Sequence, residues 1–190
     1  MAPPDKQLSG VEWVSRFPDA GSTAALADDF RPGCEAFIAA MRAAGATVEI
    51  SSTRRPIERA YLMNACWRIS KQTVNPQNVP ARAGVAIEWV HRSADGSIDL
   101  AASRQAATAM VNGYGIAFLP SLTSRHVTGQ AIDMTIAWKE ALTIASRNGD
   151  STKISSTPRN GFNLDLRKVG KTYGVVKHPT DPPHWSTDGR

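Results

Sequence analysis

Residues 124–138 have the sequence SRHVTGQAIDMTIAW, which joins a polar turn to an alternating apolar segment. The alternation over residues 131–138 predicts a β-strand, because successive side chains of a strand point to opposite faces. Asp133 then lies on the face opposite the apolar side chains. Gly129 allows the chain to turn where a Cβ atom would clash. His126 in the turn and Asp133 on the strand can therefore meet at one point.

A histidine and an aspartate that meet in this way are suitable ligands for a metal ion. Hydrolytic zinc sites use three protein ligands of this kind and keep a fourth position open. His184 is the natural third ligand, since it belongs to the stiff segment DPPHW at residues 181–185. Asp181 precedes it by three residues, where a carboxylate can act as a general base without binding the metal.

Helical and strand patterns surround these residues and indicate an α+β fold with a small sheet. The patterns predict a helical lead-in over residues 1–30, helices over 32–44, 56–70, 100–112 and 163–173, strands over 47–52 and 131–138, a short apolar strand candidate over 85–90, and a loop over 148–160. The chain has no internal repeat and no long linker. A single domain over residues 1–190 is therefore expected.

Composition narrows the choice of partners and of cellular location. No apolar run approaches the ~20 residues that cross a bilayer, so no membrane span is expected. The N-terminal residues MAPPDK lack the apolar segment of a secretory signal, so the protein is expected to be synthesised in the cytoplasm without a signal peptide. The net charge of +5 suits nucleic acid, anionic lipid or an acidic wall polymer. Because the basic residues are scattered, no nucleic-acid partner is expected.

Two cysteines, Cys34 and Cys66, lie among apolar neighbours in predicted helices. Free cysteine is among the most buried residue types, so both are expected to be buried thiols. A single disulfide between them is the alternative. Neither a disulfide framework nor a cysteine-rich zinc site can be formed from two cysteines.

The histidine motifs resemble those of a known enzyme family. A pattern Ser-x-His-x-x-Gly-x-Ala-x-Asp is followed by Asp-x-x-His near the C-terminus and preceded by Ser-x-x-Arg. These patterns are matched by Ser124, His126, Gly129, Ala131 and Asp133, by Asp181 and His184, and by Ser51 and Arg54. The chain resembles the LAS-type zinc metallopeptidases, named for lysostaphin, D-Ala-D-Ala peptidases and the hedgehog fold. Within them it is similar to the D-Ala-D-Ala carboxypeptidase / L-Ala-D-Glu endopeptidase family.

The resemblance implies a site and a fold. It implies one Zn²⁺ ion bound by His126, Asp133 and His184, with Asp181 as the base. It also implies that Arg54 faces the substrate, Arg55 being the alternative. The fold would be a small antiparallel sheet that carries the zinc site and is flanked by helices, as in the hedgehog and D-Ala-D-Ala peptidase domains, with no separate wall-binding domain.

The function implied by the resemblance is hydrolysis of peptide bonds in the stem peptides of bacterial peptidoglycan. The Asp-x-Pro-His form of the last motif resembles the endopeptidases that cut between L-Ala and D-Glu, mostly phage or prophage lysis enzymes. The alternatives are a D,D-carboxypeptidase on D-Ala-D-Ala and a non-catalytic, zinc-containing wall-binding module. A monomer is expected, which reaches the periplasmic or cell-wall peptidoglycan after release or by specialised delivery. One departure from the family is Thr53, where an aromatic residue is common.

Three further polar residues need an interpretation, namely Ser124, His178 and His91. Ser124 is expected to fix the turn or support a ligand, because no His-Asp pair is placed to activate it as a nucleophile. His178 is either a surface residue or a donor that stabilises an oxyanion. His91 stands beside Arg92 in a polar turn and is expected to be solvent-exposed.

Overall fold

Short strands and helices alternate along the chain. A computed structural model describes residues 5–190. The strands are β1 (Gln7–Leu8), β2 (Thr47–Ser52), β3 (Ile87–Glu88), β4 (His91–Arg92), β5 (Ile98–Asp99), β6 (Ala131–Ala137), β7 (Leu142–Ala145), β8 (Ser151–Ile154), β9 (Val176–Lys177) and β10 (His184–Ser186). The helices are α1 (Arg31–Ala43), α2 (Ile57–Ser70), α3 (Leu100–Tyr114), α4 (Arg125–Thr128) and α5 (Leu164–Thr172). The fold is mixed α+β with small, mainly antiparallel sheets, which confirms the predicted class.

The chain forms two compact units. The helical unit consists of the chain up to Pro18 together with Pro56–Thr123, and the sheet unit consists of Asp19–Arg55 and Ser124–Arg190. A compact unit is defined by its contacts and not by its function. The single metallopeptidase domain over residues 1–190, without a separate wall-binding domain, therefore stays a prediction.

The sheet unit is built on four antiparallel strands in the order β2-β6-β10-β9. Strand β6 buries three alternate side chains beneath helices α1 and α5, namely Ile132, Met134 and Ile136. Phe37 of α1 packs on Trp185 of β10 with ring centroids 5.4 Å apart. Because side chains alternate along a strand, Asp133 and Thr135 lie on the opposite face of β6. This outer face is the one that carries the polar residues.

The helical unit is centred on α2 and α3, which pack against each other through apolar side chains. The largest of these buried side chains are Trp13, Leu62, Ile69 and Met110. The carboxylate of Asp99 accepts a hydrogen bond from Ala102 N and so caps the first turn of α3. Gly115 ends that helix in the left-handed conformation, with φ 66°. The sequence prediction of both helices is confirmed, with α3 two residues longer than expected.

The helical lead-in predicted over residues 1–30 is wrong for the part that the structure describes. Residues 5–30 contain strand β1 and two single 3-10 turns, Val11–Trp13 and Thr23–Ala25. Phe17 adopts a left-handed backbone conformation with φ 52°, which an α-helix does not allow. Residues 1–4 of the predicted lead-in lie outside the described residues. Of the apolar side chains at this spacing, Leu8 and Val11 are exposed, whereas Val14 and Phe17 pack against the core of the helical unit.

The loop predicted over residues 148–160 contains strand β8, which pairs with β7 as an antiparallel hairpin. Only Ile154 of β8 is buried, whereas Leu142 and Ile144 of β7 are both buried in the core of the sheet unit. A strand with one buried residue has too little apolar alternation to be detected locally. Pairing with β7 therefore determines that this segment is a strand.

The structure also shows whether the two cysteines are paired or free. Cys34 in α1 and Cys66 in α2 are free and fully buried thiols, as the first interpretation predicts. Burial raises the pKa of each thiol to about 12, so neither is a reactive thiolate at neutral pH. Across residues 5–190, no helix combines the length and the apolar character that crossing a bilayer requires.

Candidate metal centre

Three side chains of the sheet unit converge on its outer face. His126 Nε2 lies 3.1 Å from His184 Nδ1, and Asp133 Oδ1 lies 3.2 Å from each of these nitrogens. Both imidazoles are buried and the carboxylate is half-buried. The cluster brings together the three residues that the sequence singles out as ligands. Its geometry and its chemistry allow it to hold a metal ion.

Strand pairing places two of these ligands. In the antiparallel pairing of β6 with β10, Asp133 is directly opposite His184. Directly opposite residues share one face of a sheet, with Cβ atoms about 4.5–5.5 Å apart. The ligand spacing of 51 residues along the chain thus becomes a cross-strand neighbour pair.

A single helical turn places the third ligand. The hydroxyl of Ser124 accepts a hydrogen bond from His126 N and caps the first turn of α4. Gly129 ends α4 with φ 74°, and a Cβ atom there would lie 3.0 Å from Ala27 N. The chain then enters β6 directly. Ser124 therefore supports the turn, as expected, and the pivot at Gly129 is confirmed.

The outward nitrogens of both imidazoles are held by backbone carbonyl oxygens. His126 Nδ1 lies 2.7 Å from Thr53 O, and His184 Nε2 lies 2.9 Å from Arg190 O. A carbonyl only accepts, so both outward nitrogens are N–H donors in the neutral rings. The inward nitrogens are then lone pairs, and both face the Asp133 carboxylate. Three acceptors at such short distances can be bridged by a metal ion or by a proton.

The turn at residues 52–55 supplies the carbonyl that orients His126. The Thr53 hydroxyl is fully buried and donates to Ala20 O and Ser22 O at 2.9 and 3.0 Å. The Arg55 guanidinium donates to the Asp19 carboxylate, with Nη2 and Oδ2 2.9 Å apart. Thr53 therefore has a structural role here, because its buried hydroxyl bonds two backbone carbonyls of the segment before α1.

The same turn separates the two candidate arginines. Arg55 is engaged with Asp19, and its backbone N donates to His126 O at 3.0 Å. Arg54 has an exposed side chain, and its carbonyl oxygen accepts a hydrogen bond from Ala20 N. Of the two, Arg54 is the one whose guanidinium faces solvent. Its role toward a substrate stays a prediction.

Residues 186–190 fold back on His184, and this segment is called the hook below. The buried Ser186 hydroxyl accepts hydrogen bonds from Gly189 N at 2.9 Å and Arg190 N at 3.0 Å. These bonds bring Arg190 O back onto the imidazole of His184. The carboxylate of Asp188 also pairs with Arg125, the residue before His126. The hook therefore links the two histidine-bearing segments.

A buried lysine organises the loop between β9 and β10. Lys177 Nζ donates to His178 O at 2.9 Å, to His184 O at 3.1 Å and to Asp181 O. Burial, with the charge of Arg167 second, lowers the pKa of the Lys177 ammonium to about 8. At neutral pH the group keeps its charge and its three N–H donors for three carbonyls. Lys177 thereby fixes the loop that carries Asp181 and ends at His184.

Asp181 and His178 lie on this loop, near the cluster but outside it. Asp181 is exposed, and its N–H donates to His178 Nδ1 at 3.0 Å. His178 is half-buried, with its ring centroid 5.7 Å from that of His184. Since Nδ1 accepts, Nε2 carries the proton in the neutral ring. Burial, followed by the neighbouring His184, lowers the pKa of His178, which favours that neutral form.

His91 lies in the helical unit and is less exposed than the sequence predicts. It is half-buried on β4, and its Nε2 lies 3.1 Å from both the hydroxyl and the carbonyl oxygen of Ser9. The polar neighbours in the sequence suggested a free turn. The contact with Ser9, 82 residues away, is set by the tertiary structure.

Charge within the cluster shows which group takes a proton when no metal is bound. Burial by itself raises the pKa of Asp133, but hydrogen bonds with His126 and His184 outweigh it and hold that pKa well below its ordinary value. Burial by itself lowers the pKa of His184, but the Asp133 carboxylate outweighs it and raises that pKa. In the metal-free protein, a proton on His184 therefore occupies the place of a cation.

We expect the metal-free protein to lose stability as pH rises above the ordinary histidine pKa of 6.5. The raised pKa of His184 contributes stability that is complete below that value and is lost as pH rises through the folded-state pKa. Asp133 contributes stability above its ordinary pKa of 3.8 and loses it only in strong acid. Urea unfolding of the metal-free protein between pH 5 and 8, with Asp133→Asn as control, measures the effect.

Metal affinity is expected to change in the opposite direction, because the proton and the metal compete for the same lone pairs. Chelator competition over the same pH range should show affinity that rises with pH. A metal-free protein that is more stable at pH 8 than at pH 6, with Asp133→Asn showing the same slope, would contradict the proton assignment.

Substitution of Ser186 by alanine is expected to weaken metal binding about tenfold, the lower end of the range for groups that orient a ligand. The change removes the acceptor of Gly189 N and one of the two acceptors of Arg190 N, the other being Asp188 Oδ1, and so loosens the contact of Arg190 O with His184. Metal affinity is measured by chelator competition. Ser151→Ala on the exposed side of β8 is the matched control and should leave affinity unchanged. Equal affinities for the Ser186 variant and the parent protein would exclude a role for the hook.

Comparison with known proteins adds no family assignment. No protein-family model matches the chain, and no curated protein matches it at a significant level. The candidate site therefore stands on its own geometry and chemistry.

Several groups that hold the site were not found from the sequence. The carbonyls of Thr53 and Arg190 carry no side-chain signal, since every residue has one. Lys177 could have been noticed as a lone lysine next to apolar Val175 and Val176, a pattern more typical of a buried strand. Asp19 had no local signal, because its partner Arg55 is 36 residues away.

Proposed function

We propose that the protein is a zinc metallopeptidase that hydrolyses peptide bonds in peptidoglycan stem peptides, with an L-Ala-D-Glu endopeptidase as the favoured activity. The observation that carries the proposal is the convergence of His126 Nε2, Asp133 Oδ1 and His184 Nδ1, with both outward ring nitrogens anchored on carbonyls. The cluster lies on a small antiparallel sheet, and we propose that this sheet belongs to the hedgehog and D-Ala-D-Ala peptidase architecture that the motifs imply.

The distances in the cluster fit zinc. Tetrahedral zinc with bonds of about 2.0–2.1 Å separates its ligand atoms by roughly 3.3 Å. The three separations here are 3.1, 3.2 and 3.2 Å. Two imidazoles and one carboxylate form a typical catalytic donor set, and three protein ligands leave one position for solvent. Two anchored rings of fixed tautomer are also the usual support of zinc-binding histidines.

Different residues of the chain take different roles in the proposed reaction. When bound, zinc supplies Lewis-acid activation of water and of an amide carbonyl. The exposed Asp181 accepts a proton from the attacking water and returns it to the leaving amine. The Arg54 guanidinium pairs with a carboxylate of the stem peptide and orients it. His178, as an N–H donor, is placed on the same loop as the base.

The charge of the chain suits this substrate. A net charge of +5 favours association with an anionic cell wall over neutral surfaces. We propose that the protein acts on periplasmic or cell-wall peptidoglycan after release or specialised delivery.

The test combines metal analysis with product identification. Purified protein should contain one zinc ion per chain and should open the L-Ala-D-Glu bond of isolated muropeptides, as seen by mass spectrometry. Chelation should stop the reaction and added zinc should restore it. Release of terminal D-Ala would instead identify a D,D-carboxypeptidase. Stoichiometric zinc with intact muropeptides would identify a non-catalytic wall-binding module, and a chain without zinc would refute the proposal.

A further inference from the structure

Exposed large apolar side chains are concentrated on the helical unit. Among residues 5–190, five of the six such side chains belong to it, namely Leu8, Val11, Phe118, Leu119 and Leu122. Three of the five lie within residues 118–122, between α3 and α4, and Phe118 is 84% exposed. We call residues 118–122 the apolar loop. Single exposed apolar residues are ordinary, whereas a group of them marks an interaction surface.

The apolar loop is anchored along helix α2 on both sides of Phe118. Before it, the Arg59 guanidinium stacks on the Tyr114 ring, 4.7 Å from the ring centroid. After it, Asn64 Nδ2 donates to Pro120 O at 2.8 Å. Arg59 and Asn64 are five residues apart, which is about 7.5 Å of helix. The exposed Phe118 side chain is therefore presented from a segment that is tied to a helix at two points.

The helix that holds the apolar loop carries positive charge beside it. Residues 105–124 contain no charged side chain. Arg68 and Lys71 follow Asn64 in the sequence by four and seven residues, a spacing that places them on the same face of α2, and both are exposed. Glu58 is the one acidic residue of α2 and lies about a third of a turn away from this row. The row beside the loop is therefore basic.

An acidic side chain marks the border of this surface on the side of α3. Val11 packs near the last turn of α3, where a Cβ atom on Gly113 would lie 3.6 Å from Val11 Cγ2. The neighbouring Glu12 is exposed, and its carboxylate lies over Gly10, where a Cβ atom would be 2.5 Å from Glu12 Oε2. The surface available to an apolar partner is thus limited to residues 118–122, which include no acid.

We propose that the apolar loop docks the protein on the surface of an anionic lipid bilayer. The side chains of Phe118, Leu119 and Leu122 enter the boundary between headgroups and acyl chains, which apolar side chains of peripheral proteins reach at a depth of about 5–10 Å. Arg68 and Lys71 then lie beside lipid phosphates. A projecting side chain needs no matching pocket in a fluid bilayer.

Charge also disfavours a second copy of the chain as the occupant, because each copy carries a net charge of +5. The same charge favours an anionic surface over a neutral one. Docking of this kind needs neither the metal centre nor peptidase activity, so its test is independent of both.

Co-sedimentation with vesicles tests the apolar contribution. The probes are vesicles of phosphatidylglycerol with phosphatidylethanolamine, and vesicles of phosphatidylcholine alone. The parent protein should bind the anionic vesicles and bind the neutral ones at least tenfold more weakly. Phe118→Ser should weaken binding to anionic vesicles by about tenfold, the factor that burial of one large apolar side chain contributes. Leu164→Ser is the matched control, because Leu164 is 67% exposed on α5 of the sheet unit, and it should bind like the parent protein.

A pair of double variants tests the basic row. Arg68→Gln with Lys71→Gln should weaken binding to anionic vesicles by about tenfold, because each basic residue near an anionic surface contributes a few-fold. Arg147→Gln with Lys153→Gln removes the same charge from exposed positions of the sheet unit and should leave binding unchanged. Equal losses in the two double variants would show that only total charge matters and would overturn the placement of the loop at the membrane.

A fluorescent label reports directly on insertion. Phe118→Cys offers a selectively reactive thiol, because Cys34 and Cys66 are both fully buried. An environment-sensitive dye at position 118 should shift its emission to the blue with anionic vesicles, whereas the same dye on Leu164→Cys should not. The proposal fails if the parent protein binds neither vesicle, if it binds both equally, or if the dye at 118 does not respond. A dimer that Phe118→Ser disperses, without vesicle binding, would assign the loop to a second copy and overturn the membrane.

Discussion

Replacement of His126 by alanine is expected to abolish stoichiometric zinc binding and peptide hydrolysis together. The substitution removes one of three ligand atoms that lie within 3.2 Å of each other, and two remaining ligands cannot close a structured zinc site. It also frees the Thr53 carbonyl from the bond that orients the ring. Zinc per chain after gel filtration, and muropeptide products by mass spectrometry, are the two measurements.

His91→Ala is the matched control, since His91 belongs to the helical unit and bonds to Ser9. That variant should keep both zinc and activity. Circular dichroism of His126→Ala should show the secondary structure of the parent protein, so that loss of zinc is not loss of the fold. A His126→Ala protein that still carries one zinc per chain would disprove the ligand assignment.

Asp181→Ala is expected to keep zinc and to lower kcat by about 10²–10⁴-fold, the usual contribution of a general base. The side chain is exposed, and the residue holds the loop through backbone atoms that alanine preserves. Its N–H donates to His178 Nδ1, and its carbonyl accepts from Lys177 Nζ. The loop should therefore keep its shape while the carboxylate is lost.

The measurements are zinc content and steady-state kinetics on a muropeptide, with Asp150→Ala as control. Asp150 lies at the start of the β8 side of the hairpin, where its carbonyl accepts a hydrogen bond from Ser146 N. Removal of its carboxylate should leave kcat unchanged. Full activity in Asp181→Ala would exclude this residue as the base and would direct attention to His178.

The elements predicted well are those whose own residues alternate or repeat strongly. Strand β2 was expected over residues 47–52 and is observed as Thr47–Ser52, because Val48 alternates with exposed neighbours. Strand β6 ends one residue earlier than expected. Strand β8 and the segment before α1 were predicted wrongly, because their backbone conformation depends on partners distant in the sequence. The local sequence pattern shows which side chains alternate within a segment, but it does not show which distant segment pairs with it.

The candidate site also has one part that the sequence predicts and one part that it does not. His126, Asp133 and His184 were expected to meet, because motif spacing and side-chain chemistry limit where ligands can come from. The register between β6 and β10 was not predictable, yet it is what places Asp133 opposite His184. A shift of one residue would move one of them to the buried face.

The sequence alone determined the α+β class, the identity of the three clustered side chains and the exclusion of a disulfide framework or a cysteine-rich zinc site. Each of these depends on residue type and spacing, which a chain carries before it folds. The tertiary structure decided which arginine faces solvent and which carbonyls orient the imidazoles. Those features depend on backbone atoms and on contacts between distant segments. A backbone carbonyl is the same in every residue, so only the folded chain shows which one reaches His126 or His184.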